Sequence, residues 1–326
     1  MIIAAHTLQR AGDIAAATAS ALSQQPRPRE VLVAVDNNDE VYEWARRNLP
    51  GVTTVYHCGR RGASATRNAG VRAATGAIIA FMDDDAVARP GWLQSLVAPL
   101  GDPGIIGVGG QLDPIWPGAA PGWMPGEFLW VVGASYRGLP EIAGPVRNVW
   151  SGNMAVARSD FCAVGGFRED FGKTDHASSP EDTDFCIRLA SAMGQGSWWY
   201  EPSARVGHKV PPNRCTLRFY LRRCRNEGKG KAELSVMLGP REGLRDERRH
   251  ALKALPAGIG RELQAALANR EINAARRAAA IGAGFGAATL GYAMQRARLA
   301  ATARSAPAGI AVDRKEQPRE SRQIRS

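Results

Sequence analysis

Residues 77–85, AIIAFMDDD, form an apolar run that stops on three consecutive carboxylates. Ile78 to Met82 have the length and unbroken apolar character of a strand buried on both faces, so Asp83, Asp84 and Asp85 fall at its carboxyl end. Open parallel sheets place their ligands at that end. Adjacent carboxylates repel one another, and a divalent cation carrying a phosphorylated substrate would relieve the repulsion. The alternative is an exposed acidic turn, because Pro90 and GWLQSLVAPL read as the start of a following helix.

A chain of 326 residues holds one large α/β domain with an appendage, or two small domains, and 44% hydrophobic content with eight Trp supplies a core. Five scattered cysteines, Cys58, Cys162, Cys186, Cys215 and Cys224, argue for a reducing compartment and against a disulfide framework or zinc site. Met1 leads straight into MIIAA without a secretory h-region, so a cytoplasmic location is expected. The net charge of +11 is uneven: residues 1–210 carry −3 and residues 211–326 carry +14. A basic back third points to phosphate-rich partners, an anionic membrane surface or nucleic acid.

In chain order, MIIAAH reads as a first strand and Gly12 to Gln24 as an Ala-rich amphipathic helix. VLVAVDNND is a second buried-strand pattern ending on Asp36; Glu40 to Asn48 reads as helix, Val52 to His57 as strand and Gly62 to Thr75 as helix. This alternation predicts a mostly parallel sheet with helices on both faces. Two strands ending in Asp at one edge suit a nucleotide, since a carboxylate there accepts from ribose hydroxyls or a base. In RRGASATRNAG, residues 60–70, the small residues permit close backbone approach, and an early-helix amide cluster with Arg67 suits phosphates; an ordinary Ala-rich helix with solvated arginines is the alternative. Neither GxxxxGK[ST] nor GxGxxG occurs, which excludes a P-loop and a dinucleotide fingerprint.

AHTLQR, VAVDNND, RGASATRNAG and AFMDDDA, in that order, resemble the amino-terminal half of the family 2 glycosyltransferases. The resemblance implies the α/β GT-A fold and a nucleotide-diphosphate sugar donor. It implies that Asp36 contacts the base, Arg67 lies by the nucleotide, Asp83 contacts ribose or base, and Asp85 binds Mn2+ or Mg2+ between the diphosphate oxygens. Asp84 receives no role.

Asp102 to Gly110 reads as another strand, followed by a Pro-, Gly- and Trp-rich stretch expected to be an ordered loop over the sheet edge. Its Trp116, Trp123, Trp130 and Tyr136 suit stacking on sugars or lipid, or simple packing. SGNMAVARSDFCAVGGF, residues 151–167, resembles the family's segment before its acceptor site, with Asn153 able to donate to and accept from sugar hydroxyls and a helix capped by Ser159 or Asp160. In SSPEDTDFCIRLASAMG, Ser178 or Ser179 is the expected cap, and Glu181 and Asp182 sit at a helix amino terminus, where the macrodipole favours carboxylates. By resemblance this is the family's ED motif, with Asp182 the catalytic base and Glu181 by the acceptor or diphosphate. WWYEPSARVGHKV reads as two short strands ending at His208, which resembles a family histidine near the metal. RFYLRRCRNEGKGKA resembles a segment of members that act on lipid-linked acceptors; Glu227 cannot neutralise Arg222, Arg223, Arg225, Lys229 and Lys231, so a phosphate or a membrane surface is expected to complete the balance, with Arg222 and Arg223 on the acceptor or diphosphate.

Arg249 to Arg277 is expected to be helical with an interruption near Pro256. AAAIGAGFGAATLGYAM, residues 278–294, is 17 residues without charge, flanked by Arg276, Arg277, Arg296 and Arg298. That is the lower limit of the roughly 17 to 25 that span a bilayer, so interfacial or re-entrant association with anionic lipid is expected, with a helix docked on the domain as the alternative. The tail from Ala303 has a disordered composition. The expectation is a catalytic domain over 1–245, a helical extension over 246–300 that associates with the membrane or docks on the domain, and a tail over 301–326. The resemblance implies inverting, metal-dependent glycosyl transfer, and the basic back third with the apolar segment makes a saccharide or lipid-linked acceptor of the cell envelope, at the inner face of the membrane, the expected setting. A sugar-nucleotide nucleotidyltransferase lacks support, because AHTLQRAGD offers no Gly-rich basic loop. A nucleic-acid-binding protein would explain the charge, but no motif for one is present.

Overall fold

The computed structural model describes residues 1–170, 180–194, 196–239, 247–248 and 250–305. The expected caps Ser178 and Ser179, and the tail beyond Ser305, lie outside the described residues. Strands β1 (Ile2–Ala5), β2 (Leu32–Asp36), β3 (Thr53–His57) and β4 (Ile78–Asp83) lie parallel in the order β3-β2-β1-β4. Helices α1 (Ala11–Leu22), α2 (Asp39–Asn48) and α3 (Ala63–Ala73) connect them. The second half adds β5 (Ala86–Ala88), α4 (Trp92–Val97), β6 (Ile105–Ile115), β7 (Gly144–Val146), β8 (Asn153–Ala157), α5 (Arg158–Ala163), α6 (Glu181–Met193) and β9 (Ser197–Lys209). Here the sheet becomes mixed: β8 runs antiparallel between β4 and β6, and β9 is parallel to β6 but antiparallel to β5 and β7.

Side chains alternate between two cores, as a strand covered on both faces requires. From β4, Ala80 and Met82 join Ile14, Ala17, Val41 and Trp92 on one face. Ile79 and Phe81 join Val71, Phe161, Phe167 and Phe185 on the other. The parallel register makes β1, β2 and β4 finish at one edge, where Ala4 pairs with both Ala34 and Asp83.

Three local readings are corrected. β9 is one strand rather than two; a register slip pairs Glu201 with Gly110 and Arg205 with Gln111, so residues 202–204 bulge out and the strand continues to His208. α5 begins at Arg158 with no side-chain cap, and Ser159 donates to Asp160 instead. Asn153 does not face an acceptor. It is 1% exposed; its Oδ1 accepts from Trp92 Nε1 at 2.8 Å, and its Nδ2 donates to Gln111 O at 2.9 Å and Ala204 O at 2.8 Å. With both amide hydrogens spent inside the sheet, Asn153 pins β6, β8, β9 and α4 together.

The described C-terminal part carries the helices α7 (Leu217–Leu238), α8 (Leu255–Asn269) and α9 (Ile272–Ser305). Pro256 is tolerated in the first turn of α8, and the break falls later, at Arg270, whose φ of +52° turns the chain into α9. The stretch 278–294 lies inside α9 and packs on α7. A Cβ on Gly228 would sit 1.9 Å from Ala288 O, and one on Gly291 2.0 Å from Arg225 O. The small residues thus let two helix backbones touch. That use explains why the segment is only weakly hydrophobic, and no described helix is long and apolar enough to cross a membrane. Tyr220, Cys224, Leu255 and Ile281 share a third core with Met124, Phe128 and Val132, so the terminal helices anchor the Trp-rich connection between β6 and β7. Trp116 and Trp123 pack there as well.

Candidate active site

A cleft of about 1950 Å³ opens at the edge where β1, β2 and β4 end. Asp36 closes one side of it: its Oδ2 accepts from Gly62 N at 2.9 Å and its Oδ1 from Asn37 Nδ2 at 2.9 Å. The carboxylate thereby fixes the glycine turn that launches α3, with Gly62 at φ +136°. One turn along α3, buried Arg67 donates to Asp83 Oδ1 at 2.8 Å and lies over the Phe167 ring. Its Nη1 is buried without a partner among the described residues.

The three carboxylates separate by partner. Asp83 takes Arg67; Asp84 takes Arg10 Nη1 at 2.6 Å; Asp85 shares that Nη1 at 3.0 Å and accepts His208 Nε2 at 3.2 Å. Burial and the charges of its two acidic neighbours push Asp84 up to about 6, although Arg10 opposes them. Burial also acts to raise Asp85, but the hydrogen bond and charge of His208, with Arg10 and Arg214, outweigh it and hold Asp85 below the ordinary carboxylate range. His208 is placed there because β9 pairs with β5, setting His208 opposite Ala86. Ligand atoms of Asp83, Asp85 and His208 all lie within 4.8 Å of one another. Two carboxylates and an imidazole match the preferences of a divalent ion such as Mn2+. Two glycines keep this cluster open: a Cβ on Gly152 would lie 2.6 Å from Asp83 Oδ2, and one on Gly133 2.7 Å from His208 Cε1.

Across the cleft, α6 presents Glu181, Asp182 and Thr183 from its first turn. Asp182 Oδ1 is buried without a partner among the described residues, while Ser151 supplies hydrogen bonds to the carboxyl. Burial raises the pKa of Asp182 despite the opposing charge of Arg67 and those Ser151 bonds. The structure thus brings Asp36, Arg67, Asp83, Asp85, Glu181, Asp182, Arg223 and His208 into one cleft. Arg223 pairs with Glu227 at 2.9 Å beside Trp130. Arg222 is corrected: one residue of helical phase turns it outward, where it covers the Phe219 ring and does not line the cleft.

Two cations escaped sequence reasoning. Arg10 lies in AHTLQR but bonds to Asp84 across 74 residues, a pairing with no local signal. Arg214, in PPNRC, lines the cleft near Asp85, and its side chain makes no hydrogen bond or ion pair within the described residues. Trp130 and Tyr136, weighed as stacking residues, do line the cleft, together with Trp150.

Residues 2–164 match Glycosyl transferase family 2. The chain is 30% identical over 242 residues to the glucosyl-dolichyl phosphate glucuronosyltransferase of Haloferax volcanii, spanning 73% of this chain and 77% of that protein. It is 29% identical over 248 residues to the succinoglycan biosynthesis protein ExoM of Rhizobium meliloti, spanning 74% and 75%. Among solved structures it resembles the mannosyltransferase PcManGT of Pyrobaculum calidifontis, determined with GDP-Man and Mn2+, at 19% identity and a TM-score of 0.52 over 87% of this chain and 85% of that one. The fold is that of the GT-A glycosyltransferases, and the chain belongs to glycosyltransferase family 2.

Replacing Arg10 by Met removes the cation shared by two carboxylates that are 5% and 6% exposed. Because Arg10 itself is partly solvated, the expected cost is about 2–3 kcal/mol of unfolding free energy at pH 7, read by urea titration. The deficit should shrink as pH is lowered towards about 6, because without Arg10 the Asp84 carboxyl takes up its proton at a higher pH than in the wild type and the repulsion is relieved.

Proposed function

We propose that this glycosyltransferase moves a sugar from a nucleotide-diphosphate donor to an acceptor hydroxyl, with inversion and with the help of a divalent metal. The observation that carries the reading is one cleft holding the Asp83–Asp85–His208 cluster on one side and Asp182 on the other, with Arg67 between them. Asp36 and Asp83 sit where strand-end carboxylates meet a nucleoside. Asp85 and His208 would hold the metal, Mn2+ or Mg2+, which supplies charge to the departing diphosphate. Arg214 faces the same place with no partner of its own and would bind a phosphate oxygen. Asp182 would take the proton of the attacking hydroxyl; a single displacement at the anomeric carbon inverts its configuration.

A lipid-linked or polysaccharide acceptor is supported by the names of the two relatives, one acting on a glucosyl-dolichyl phosphate and the other in succinoglycan biosynthesis. The exposed surface of α8 and α9 carries Leu263, Leu267, Ile272, Leu290 and Met294, among Arg270, Arg276, Arg296 and Arg298. Such a face suits the surface of an anionic membrane, which would place the enzyme on its cytoplasmic side.

Thermal stabilisation by a panel of nucleotide sugars should require Mn2+ and should vanish in Asp85→Ala and fall in His208→Gln. Stabilisation that stays metal-dependent in Asp85→Ala would remove the metal assignment. Asp182→Asn is expected to bind donor normally while kcat falls by about 10² to 10⁴. Since burial raises its pKa, wild-type kcat should already decline on acidification above the ordinary Asp value of about 4. Unimpaired turnover by Asp182→Asn would rule out its role as base.

A further inference from the structure

Arg10 stands where a short 3-10 turn, Leu8–Arg10, runs into α1, whose Ile14, Ala17 and Ala21 are fixed in the core. A rigid element therefore carries its guanidinium, and one nitrogen of that group serves two acids. Nη1 lies 2.6 Å from Asp84 Oδ1 and 3.0 Å from Asp85 Oδ2. The other oxygen of Asp85, Oδ1, faces His208 Nε2 at 3.2 Å. Asp85 thus offers one oxygen to the imidazole with which it would hold a metal and the other to a permanent cation. In a site this buried, like charges a few ångströms apart repel strongly, so a divalent ion at Asp85 feels Arg10 without touching it.

Asp84 stands outside the clustered ligand atoms, which come from Asp83, Asp85 and His208. It is 4% exposed; its Oδ1 takes Arg10, and its Oδ2 is buried without a partner among the described residues. Burying a carboxylate is costly, and this one has a use if it keeps the guanidinium beside Asp85. The surrounding charges agree. Arg67 takes Asp83 and the charge of Arg214 also acts on Asp85, so three strand-end acids are matched by three guanidiniums, with Glu181 and Asp182 facing Arg67 from α6. A divalent ion enters a set of acids whose charge is already met, and the guanidiniums decide how tightly it is held.

We propose that Arg10 is a tuning cation that holds the affinity of Asp85 for a divalent ion down, and that Asp84 is the anion that keeps Arg10 in place. This rests on the reading above in which Asp85 and His208 hold the metal.

Mn2+ binding to the full chain near neutral pH, followed by the electron paramagnetic resonance of the free ion, tests it. Arg10→Met should tighten Mn2+ about tenfold, and Arg10→Lys, which keeps the charge, should stay within about twofold of the wild type. Asp84→Asn should weaken Mn2+ about threefold, because it removes an anion that is not among the ligands and leaves Arg10 to Asp85 alone. A purely bracing role for Arg10 predicts the opposite sign, since losing a brace would loosen the end of β4 and weaken the ion. Unchanged or weaker binding by folded Arg10→Met, or a gain by Arg10→Lys equal to that of Arg10→Met, therefore overturns the proposal. Unchanged or tighter Mn2+ in Asp84→Asn overturns it too; this near-isosteric variant decides the matter where Arg10→Met fails to fold. Asp85→Ala, titrated alongside, separates the two readings. Mn2+ that Asp85→Ala releases but Arg10→Met holds no more tightly defeats the role of Arg10 alone. Mn2+ that still binds Asp85→Ala, or that neither the wild type nor Arg10→Met binds, defeats the metal reading together with it.

Discussion

Three adjacent carboxylates at one strand end repel each other, and the site is organised by how that repulsion is resolved. Each acid has a different set of partners: Arg67 for Asp83, Arg10 for Asp84, and Arg10 with the His208 imidazole for Asp85. The assignment spans the chain, since Arg10 precedes α1, Arg67 belongs to α3 and His208 to β9. Asp84 gains a purpose from it. Buried itself, it holds the guanidinium that also touches Asp85, so one acid orients the cation that helps keep another ionised.

The sheet converts this local balance into a site. Parallel register brings Asp36 and Asp83 to the same edge, and the bulge in β9 carries the strand on to His208. Arg67 then links the two sides of the cleft. It bonds to Asp83, and its charge opposes the burial that raises Asp182. A change in the charge of the donor side is in this way felt by the candidate base.

Much of this was legible in the sequence, and for a physical reason. Buried strands are continuous apolar runs, and AIIAFMDDD and VLVAVDNND announce both the strand and the acid at its end. The helix start at Glu181 was legible from Pro180 and an acidic first turn, while the choice of Asp182 as base came only from the family resemblance. What failed was whatever depended on where a side chain's bonds are already spent. Asn153 has the chemistry to hold a sugar, but three long-range partners consume it. Arg222 and Arg223 are indistinguishable by type and are separated only by helical phase. The glycines at 228, 284 and 291 depress the hydropathy of their segments, yet their function is close helix contact, visible only once α7 and α9 are side by side. Glu201 to Ser203 read as a strand break because a proline interrupts the pattern, whereas the sheet absorbs it as a bulge.

The account stands on the claim that Asp85 and His208, beside Asp83, hold a metal ion facing a diphosphate. Anomalous X-ray scattering from crystals grown with Mn2+ and a nucleoside diphosphate tests that claim most directly. The account predicts a single strong manganese peak within coordination distance of Asp85 and His208 Nε2, bridging to the diphosphate. A peak elsewhere in the cleft, or a diphosphate bound there with no manganese beside it, would contradict it.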